Sequence, residues 1–292
     1  MDKRFNSSKG NRNGGQAGNN KKKNSTYYNQ RESRAERENE AFSPEDEGVV
    51  VGRNAVRELL KSGRDIDKIF VQRGEREGSI VVLAAEATVR HIPLVEVDKI
   101  KLDKMTGGAN HQGIVAMAAE KQYSTVEDIL AIAEERGEKP FIVISDGITD
   151  PHNLGALIRC AEGAGAHGII IPKRRSVGLT AAVTKSSAGA IEHMAIAKVT
   201  NIAATVELLK KKGVWVFAAE AGGDAYYDTD FNCAVAVVLG SEGNGVSSIV
   251  KEKSDYITSI PMYGKVNSLN VSTAAAVILS EVARQHNKAK NS

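Results

Sequence analysis

From Gly48 onward the apolar residues come in short blocks, and their spacing switches repeatedly between unbroken runs and a three-to-four-residue period. The runs predict strands over Val49–Val51, Lys68–Val71, Leu94–Val97 and Gly113–Ala118. The helical period predicts helices over Asn54–Lys61, Gly78–Arg90 and Lys99–Lys104, with Val56, Leu59 and Leu60 marking the inner face of the first. Ser124 with Glu127 reads as a capping box for a helix over Thr125–Arg136, closed by Gly137, which serves as a connector. Beyond it, strands are predicted over Phe141–Ser145, Gly168–Ile171, Met194–Ala197, Val214–Ala219, Ala234–Leu239 and Tyr256–Ile260. Helices alternate with them over Leu154–Gly163, Leu179–Ala188, Ile202–Lys212, Val246–Lys251 and Val271–Gln285. These later strands are almost wholly apolar, the mark of a parallel sheet covered on both faces. The fold class is α/β.

The first 45 residues break this pattern. They are rich in Asn, Gly, Lys and Ser, and they hold too few aliphatic residues to offset the entropy of ordering, so a disordered segment is expected. The segment carries ten Lys/Arg against six Asp/Glu, in a chain of 292 residues whose net charge is +3. A basic arm on a near-neutral body points to a polyanion partner, with a merely solvated tail as the plain alternative. Tyr27 and Tyr28 beside Lys21–Lys23 are weak candidates for base stacking. Two cysteines are too few for a disulfide framework or a four-cysteine zinc site, and no apolar run is long enough to span a bilayer. With no apolar segment of signal type in the opening MDKRFNSSKGNRNGG, a soluble cytoplasmic protein is expected.

Ligands of open parallel sheets sit at the carboxyl ends of strands, and three polar loops fall there. They are D-P-H-N-L-G-A-L-I-R at 150–159, V-L-G-S-E-G-N-G at 238–245, and I-P-M at 260–262 with S-L-N-V-S at 268–272. Taken singly, each has a structural explanation: Asn153 as a helix cap, Arg159 as a surface cation, the glycines as turn formers. The glycines at 240, 243 and 245 do not have dinucleotide-binding spacing, no phosphate-cradling NTPase loop occurs, and the six histidines show no metal-ligand spacing. A nicotinamide-dependent oxidoreductase and a metal site are therefore not expected. Cys160 and Cys233 sit in apolar patterns typical of core cysteines.

As a set, in this order and spacing, the three loops resemble the motifs of the SpoU/TrmH family of S-adenosylmethionine-dependent RNA ribose 2′-O-methyltransferases, of the SPOUT class. Residues 48–120 look like the ribosomal-protein-L30/L7Ae-like substrate-binding domain of the subgroup that methylates a guanosine of bacterial 23S rRNA, and Ile170–Ser176 also looks like that subgroup. The resemblance does not extend to the disordered basic tail at 1–45 or account for the linker helix at 122–139; it implies an RNA-binding domain at 46–121 and a SPOUT methyltransferase domain at 140–292 with a C-terminal trefoil knot. It implies a homodimer whose active site is completed across the interface, S-adenosyl-L-methionine as cofactor, and no metal. It places Asn153, Arg159, Glu242 and Asn270 in catalysis, and Gly240, Ile260 and Leu269, with Ser268 and Gly243 beside them, at the cofactor. Within that set Glu242 would orient Arg159 and Asn153 would position the ribose.

For RNA contact the small domain offers Arg53, Arg57, Lys61, Arg64 and Lys68, and the loop Gly107–Gly113 that contains His111. A charge run on a helix is also what a solvated face looks like. Two other functions stay open: a tRNA ribose methyltransferase, and a non-catalytic RNA-binding assembly factor. Deleting residues 1–45 is expected to leave the melting temperature and dimerisation unchanged, as read by calorimetry and gel filtration. A large fall in melting temperature would show that the segment packs on the body.

Overall fold

The computed structural model describes residues 48–74 and 78–290. The basic segment 1–45, with Tyr27 and Tyr28, lies outside the described residues.

The first sheet has four strands: β1 (Val49–Val51), β2 (Ile66–Gln72), β3 (Leu94–Val97) and β4 (Ile114–Ala118), in the order β1-β4-β2-β3. Only β2 and β3 run parallel. Helices α1 (Arg53–Ser62) and α2 (Ser79–Val89) cover one face, where Val56, Leu59, Leu60 and Leu83 meet Ile69, Val71 and Ile114. Helix α3 (Lys99–Met105) lies on the other face, with Leu102 and Met105 against Phe70 and Val115.

The second sheet is all parallel. It contains β5 (Phe141–Asp146), β6 (Gly168–Pro172), β7 (Ala195–Val199), β8 (Trp215–Ala225), β9 (Val235–Gly240) and β10 (Tyr256–Ser259), ordered β10-β8-β9-β5-β6-β7. Successive side chains of a strand point to opposite faces. Phe141 and Val143 thus pack under α5 (Pro151–Gly163) and α9 (Val271–Lys290), while Ile142 and Ile144 pack under α4 (Val126–Glu135) and α7 (Ile202–Lys211). Both faces being covered, β5 and β9 are buried along nearly their whole length, which is why they read as continuous apolar runs. Each buried Val or Ile contributes roughly 1.5–3 kcal/mol relative to exposure. Two short helices complete the layers, α6 (Ala181–Ser186) and α8 (Ser248–Lys253), and a 3₁₀ turn spans Ala190–His193. Ala181 of α6 joins the α3-side cluster of the first sheet, so the two sheets share packed surface.

Several expected element ends move, each for a local reason. The α4 capping box is Thr125 with Asp128, not Ser124 with Glu127: Thr125 Oγ1 accepts from the Asp128 N–H at 3.1 Å, and Asp128 Oδ2 accepts from the Thr125 N–H at 2.8 Å. Ser124 is drawn instead into a bridge beside β7, where its N–H donates to Ile196 O. Helix α5 begins three residues earlier than expected because Pro151 suits the first helical position and Asp150 caps it, accepting from the His152 N–H at 2.7 Å. Asn153 therefore lies inside the first turn and is not the cap. Strand β8 runs six residues past Ala219, since Gly223 passes so near Ile257 O that a Cβ there would lie 2.2 Å away.

At the amino end of the second sheet, the His167 side chain is almost fully buried. Its Nδ1 accepts the Phe141 N–H at 2.9 Å, which leaves Nε2–H to face Glu138 Oε2 at 3.0 Å. Burial pushes the His167 pKa below its ordinary value, and Glu138 opposes that only in part. The folded protein keeps this ring neutral at a pH where the unfolded chain takes up a proton, so stability falls as pH drops through about 6.5. Thermal melts between about pH 7 and pH 5.5 are expected to show this fall in the wild type and a weaker one in His167→Gln. Equal slopes for the two proteins would remove His167 as the source.

Candidate functional site

The loop after β9 folds back on its own strand. Ser241 and Gly245 exchange backbone hydrogen bonds of 3.1 and 2.9 Å, and a Cβ on Gly240 would lie 2.0 Å from the carbonyl carbon of Gly245. Only glycine fits at 240. Gly243 (φ 84°) and Gly245 (φ 64°) supply the left-handed turns that other residues resist. Two carboxylates brace the far limb. Glu220 Oε2 accepts the Val246 N–H at 2.9 Å, and Asp146 Oδ2 accepts the Ser247 N–H at 2.8 Å. Sequence reasoning missed both; the available signal was an acidic residue close to the carboxyl end of a strand beside the glycine loop.

This loop and the segment after β10 enclose a cavity of about 500 Å³. Gly240, Gly243, Glu242, Ile260, Ser268 and Leu269 line it, and Leu239 and Val271 add apolar wall. Asn153, Arg159 and Asn270 are not on its lining, but Asn270 follows Leu269 directly and donates from Nδ2 to Asn153 Oδ1 at 3.0 Å. The Asn270 amide is oriented by Ser272, whose N–H and Oγ–H both donate to its Oδ1, at 2.9 and 2.6 Å. That contact ties the start of α5 to the start of α9. Asn153 is nearly buried, and its own amide N–H groups have no partner among the described residues.

Arg159 and Glu242 are both exposed, and the ion pair expected between them is not formed: neither has an ion-pair partner among the described residues. Cys160 is half-buried against the same helix pair, its Sγ 3.8 Å from Ser272 O. Burial raises the Cys160 thiol and pushes that of Cys233 up to about 11, so both stay protonated near neutral pH. Among the described residues no group of three His, Cys, Asp or Glu is placed to hold a metal ion, and no helix is long and apolar enough to cross a membrane.

The first sheet carries a second cavity, of about 540 Å³, whose lining includes Arg53, Arg73, Lys99, Gln72 and the loop 108–113. Arg53 is bound to the loop from two atoms: its N–H donates to Gln112 Oε1 and its Nε–H to Gln112 O, both at 3.0 Å. His111 is buried; its Nδ1 accepts the Gly113 N–H at 2.9 Å and its Nε2 faces Asp103 Oδ1 at 3.1 Å, so the ring holds the loop's shape. Arg57 and Lys61 lie outside that lining and contact Asn54 and Glu58 of their own helix. Arg64 is withdrawn from any nucleic-acid face, because its guanidinium is largely buried 3.0 Å from Glu192 Oε1. Lys68 sits over the Phe70 ring.

The SpoU rRNA Methylase family profile matches residues 140–280, and the profile described as RNA 2′-O ribose methyltransferase substrate binding matches residues 49–124. Among curated proteins, the chain is 45% identical over 239 residues to YacO of Bacillus subtilis (strain 168), named as a TrmH family tRNA/rRNA methyltransferase, covering 82% of this chain and 96% of that protein. A protein of the same designation from Staphylococcus haemolyticus is 42% identical over 241 residues, covering 82% and 96%. Among solved structures, the SpoU methyltransferase AviRb of Streptomyces viridochromogenes, determined with AdoMet, superposes with a TM-score of 0.68 at 23% identity over 82% of this chain and 90% of its own, a likeness of fold. An AdoMet-bound rRNA methyltransferase from Sinorhizobium meliloti gives a TM-score of 0.66 at 25% identity over 81% and 86%. The two profiles fall on the two sheets, the glycine-walled cavity lies within the first of them, and the relatives match across both: the chain belongs to the SpoU/TrmH family of RNA methyltransferases.

Proposed function

We propose that the protein methylates the ribose 2′-hydroxyl of a guanosine in 23S rRNA, with S-adenosyl-L-methionine as methyl donor, as a cytoplasmic step of ribosome biogenesis. The observation that carries the reading is the cavity walled by Gly240 and Leu269, tied through Asn270 to Asn153. Its residues fit the cofactor. Leu239, Ile260 and Leu269 would give a flat base an apolar wall, and Glu220 and Glu242 add carboxylates to the lining that would suit the cofactor's positive charge. The cavity is also of the size that encloses a ligand of that class.

The bound cofactor supplies an electrophilic methyl group on a positively charged sulfur. The chain's own residues do the rest. Asn153, held by Asn270, presents its amide N–H groups to the incoming ribose. The role of Arg159 is electrostatic: its guanidinium binds a neighbouring phosphate and stabilises the oxyanion that develops on the 2′-oxygen as the hydroxyl proton passes to solvent water. Arg159 and Glu242 stand exposed and without an ion-pair partner among the described residues, which favours a homodimer whose second copy completes the site. The proposal includes the C-terminal trefoil knot, and a division of labour in which residues 46–121 bind RNA, with Arg53, Arg57, Lys61 and the His111 loop as its contacts, 122–139 link, and 140–292 carry the chemistry.

Incubation with labelled S-adenosylmethionine and separate tRNA and 23S rRNA pools, followed by mapping of the ribose methylation, tests the reading. Label confined to tRNA would give the substrate to the other class, and no label in either would leave a non-catalytic RNA-binding protein. Arg159→Ala is expected to lower turnover by several orders of magnitude while cofactor affinity stays within a few-fold; an unchanged rate would remove Arg159 from the mechanism. Gly240→Ala is expected to abolish calorimetric binding of the cofactor, because its Cβ forces the Gly245 limb outward. Retained affinity would show that the cavity is not the cofactor site.

A further inference from the structure

Lys173, Arg174 and Arg175 leave the carboxyl end of β6, which lies next to β5 in the sheet. All three are exposed, and none has an ion-pair partner among the described residues. Two carboxylates of the neighbouring β5 loop are engaged elsewhere, Asp146 with the Ser247 N–H and Asp150 with the His152 N–H. Three adjacent, unneutralised cations repel one another, so the arrangement suits an anion brought from outside.

The loop that carries them is fixed, and it is fixed to the candidate active site. The Lys173 N–H donates to Val199 O at 2.7 Å, and the Val177 N–H donates to Ile148 O at 3.3 Å. Arg175 sits at φ 59°, a left-handed conformation uncommon outside glycine. Gly147, at φ 85°, marks the meeting point of three loops: a Cβ placed on it would lie 3.7 Å from Arg175 O and 3.8 Å from Ser241 Cβ. The basic loop, the β5 loop and the glycine loop after β9 are thus in contact through one residue. With strands about 4.8 Å apart, β6 lies only about 10 Å from β9. An RNA strand crossing the sheet's carboxyl edge with its target ribose above β9 and β5 therefore brings neighbouring phosphates over β6.

We infer that Lys173, Arg174 and Arg175 form a phosphate-binding clamp that holds the RNA backbone beside the methylated nucleotide. This rests on the methyltransferase reading. The clamp contacts phosphate and sugar, so it positions the strand without reading its sequence.

The test compares Lys173→Glu/Arg174→Glu with Lys211→Glu/Lys212→Glu. The control pair makes the same charge change at the opposite, amino end of the sheet, where both lysines are exposed. Bulk 23S rRNA is the probe, titrated over a range of salt, with calorimetric binding of S-adenosylmethionine and melting temperature measured alongside. The clamp variant is expected to lose at least about tenfold in RNA affinity, and its log–log salt slope to shrink by about 1.4, at roughly 0.7 per lost single-strand contact. Cofactor affinity and melting temperature should match wild type, and the control should keep the wild-type slope. Lys173→Gln/Arg174→Gln, which removes charge without reversing it, should show the same change of slope and decides the matter if the glutamate variant fails to fold. A wild-type slope in the clamp variants, an equal loss in the control, or a loss of RNA affinity that comes with loss of cofactor binding would each overturn the clamp. Failure of the methyltransferase reading shows separately, as unlabelled RNA from the wild-type protein.

Discussion

At position 240 two stretches of backbone pass closer than any side chain allows, with Gly240 wedged against Gly245 and Val246. That close approach turns the end of a buried strand into one wall of a cavity, because Ser241 and Gly245 bind each other's backbone and the folded-back loop 240–245 lines the space beside it. The far limb stays in place because Glu220 and Asp146, from two different strands, accept its N–H groups. The segment Ile260–Leu269 supplies the opposite wall, through Ile260, Met262, Ser268 and Leu269.

 The order of dependence then runs outward: Leu269 lines the cavity, Asn270 follows it, and the Asn270–Asn153 hydrogen bond fixes the first turn of α5 relative to that wall.

The interior of the larger sheet was legible in the sequence, because residues such as Ile142, Val143 and Ile144 are apolar on both faces and only a doubly covered parallel strand makes use of that. Ends were harder to read. Pro151 looks like a breaker in a one-dimensional pattern, yet it starts α5, since a proline lacking its N–H costs nothing in a first turn. The apolar run of β8 stops at Ala219, whereas the chain continues as strand to Ala225 and needs glycine at 223 to clear Ile257. Within the site, the glycines and amides of the three loops stood out by composition. Glu220 and Asp146 did not, because a single carboxylate has no periodic signature and their partners lie 26 and 101 residues away.

The cations of the small sheet show the same limit. Spacing along α1 reveals that Arg53, Arg57 and Lys61 share a helix, but not that Arg53 is bound into the 108–113 loop while Lys61 meets Glu58. Arg64 reads as one more member of that series. It is instead enclosed at the junction of the two sheets, where Glu192 of the 3₁₀ turn faces it and Glu58 faces His193 close by.

That enclosed pair links the two halves of the chain in a further sense. A buried charge left without its counter-ion costs about 3–5 kcal/mol, whereas exchanging both members for well-packed apolar residues can be nearly neutral. Change at 64 alone, or at 192 alone, is therefore penalised, and a joint change escapes the cost only if it also suits Lys121, a largely buried cation that interacts with both. Although each half has a sheet and a core of its own, neither is free to drift in sequence at this seam, and a chimera that joins the small sheet of one relative to the large sheet of another inherits a mismatched charge unless both positions come from the same parent.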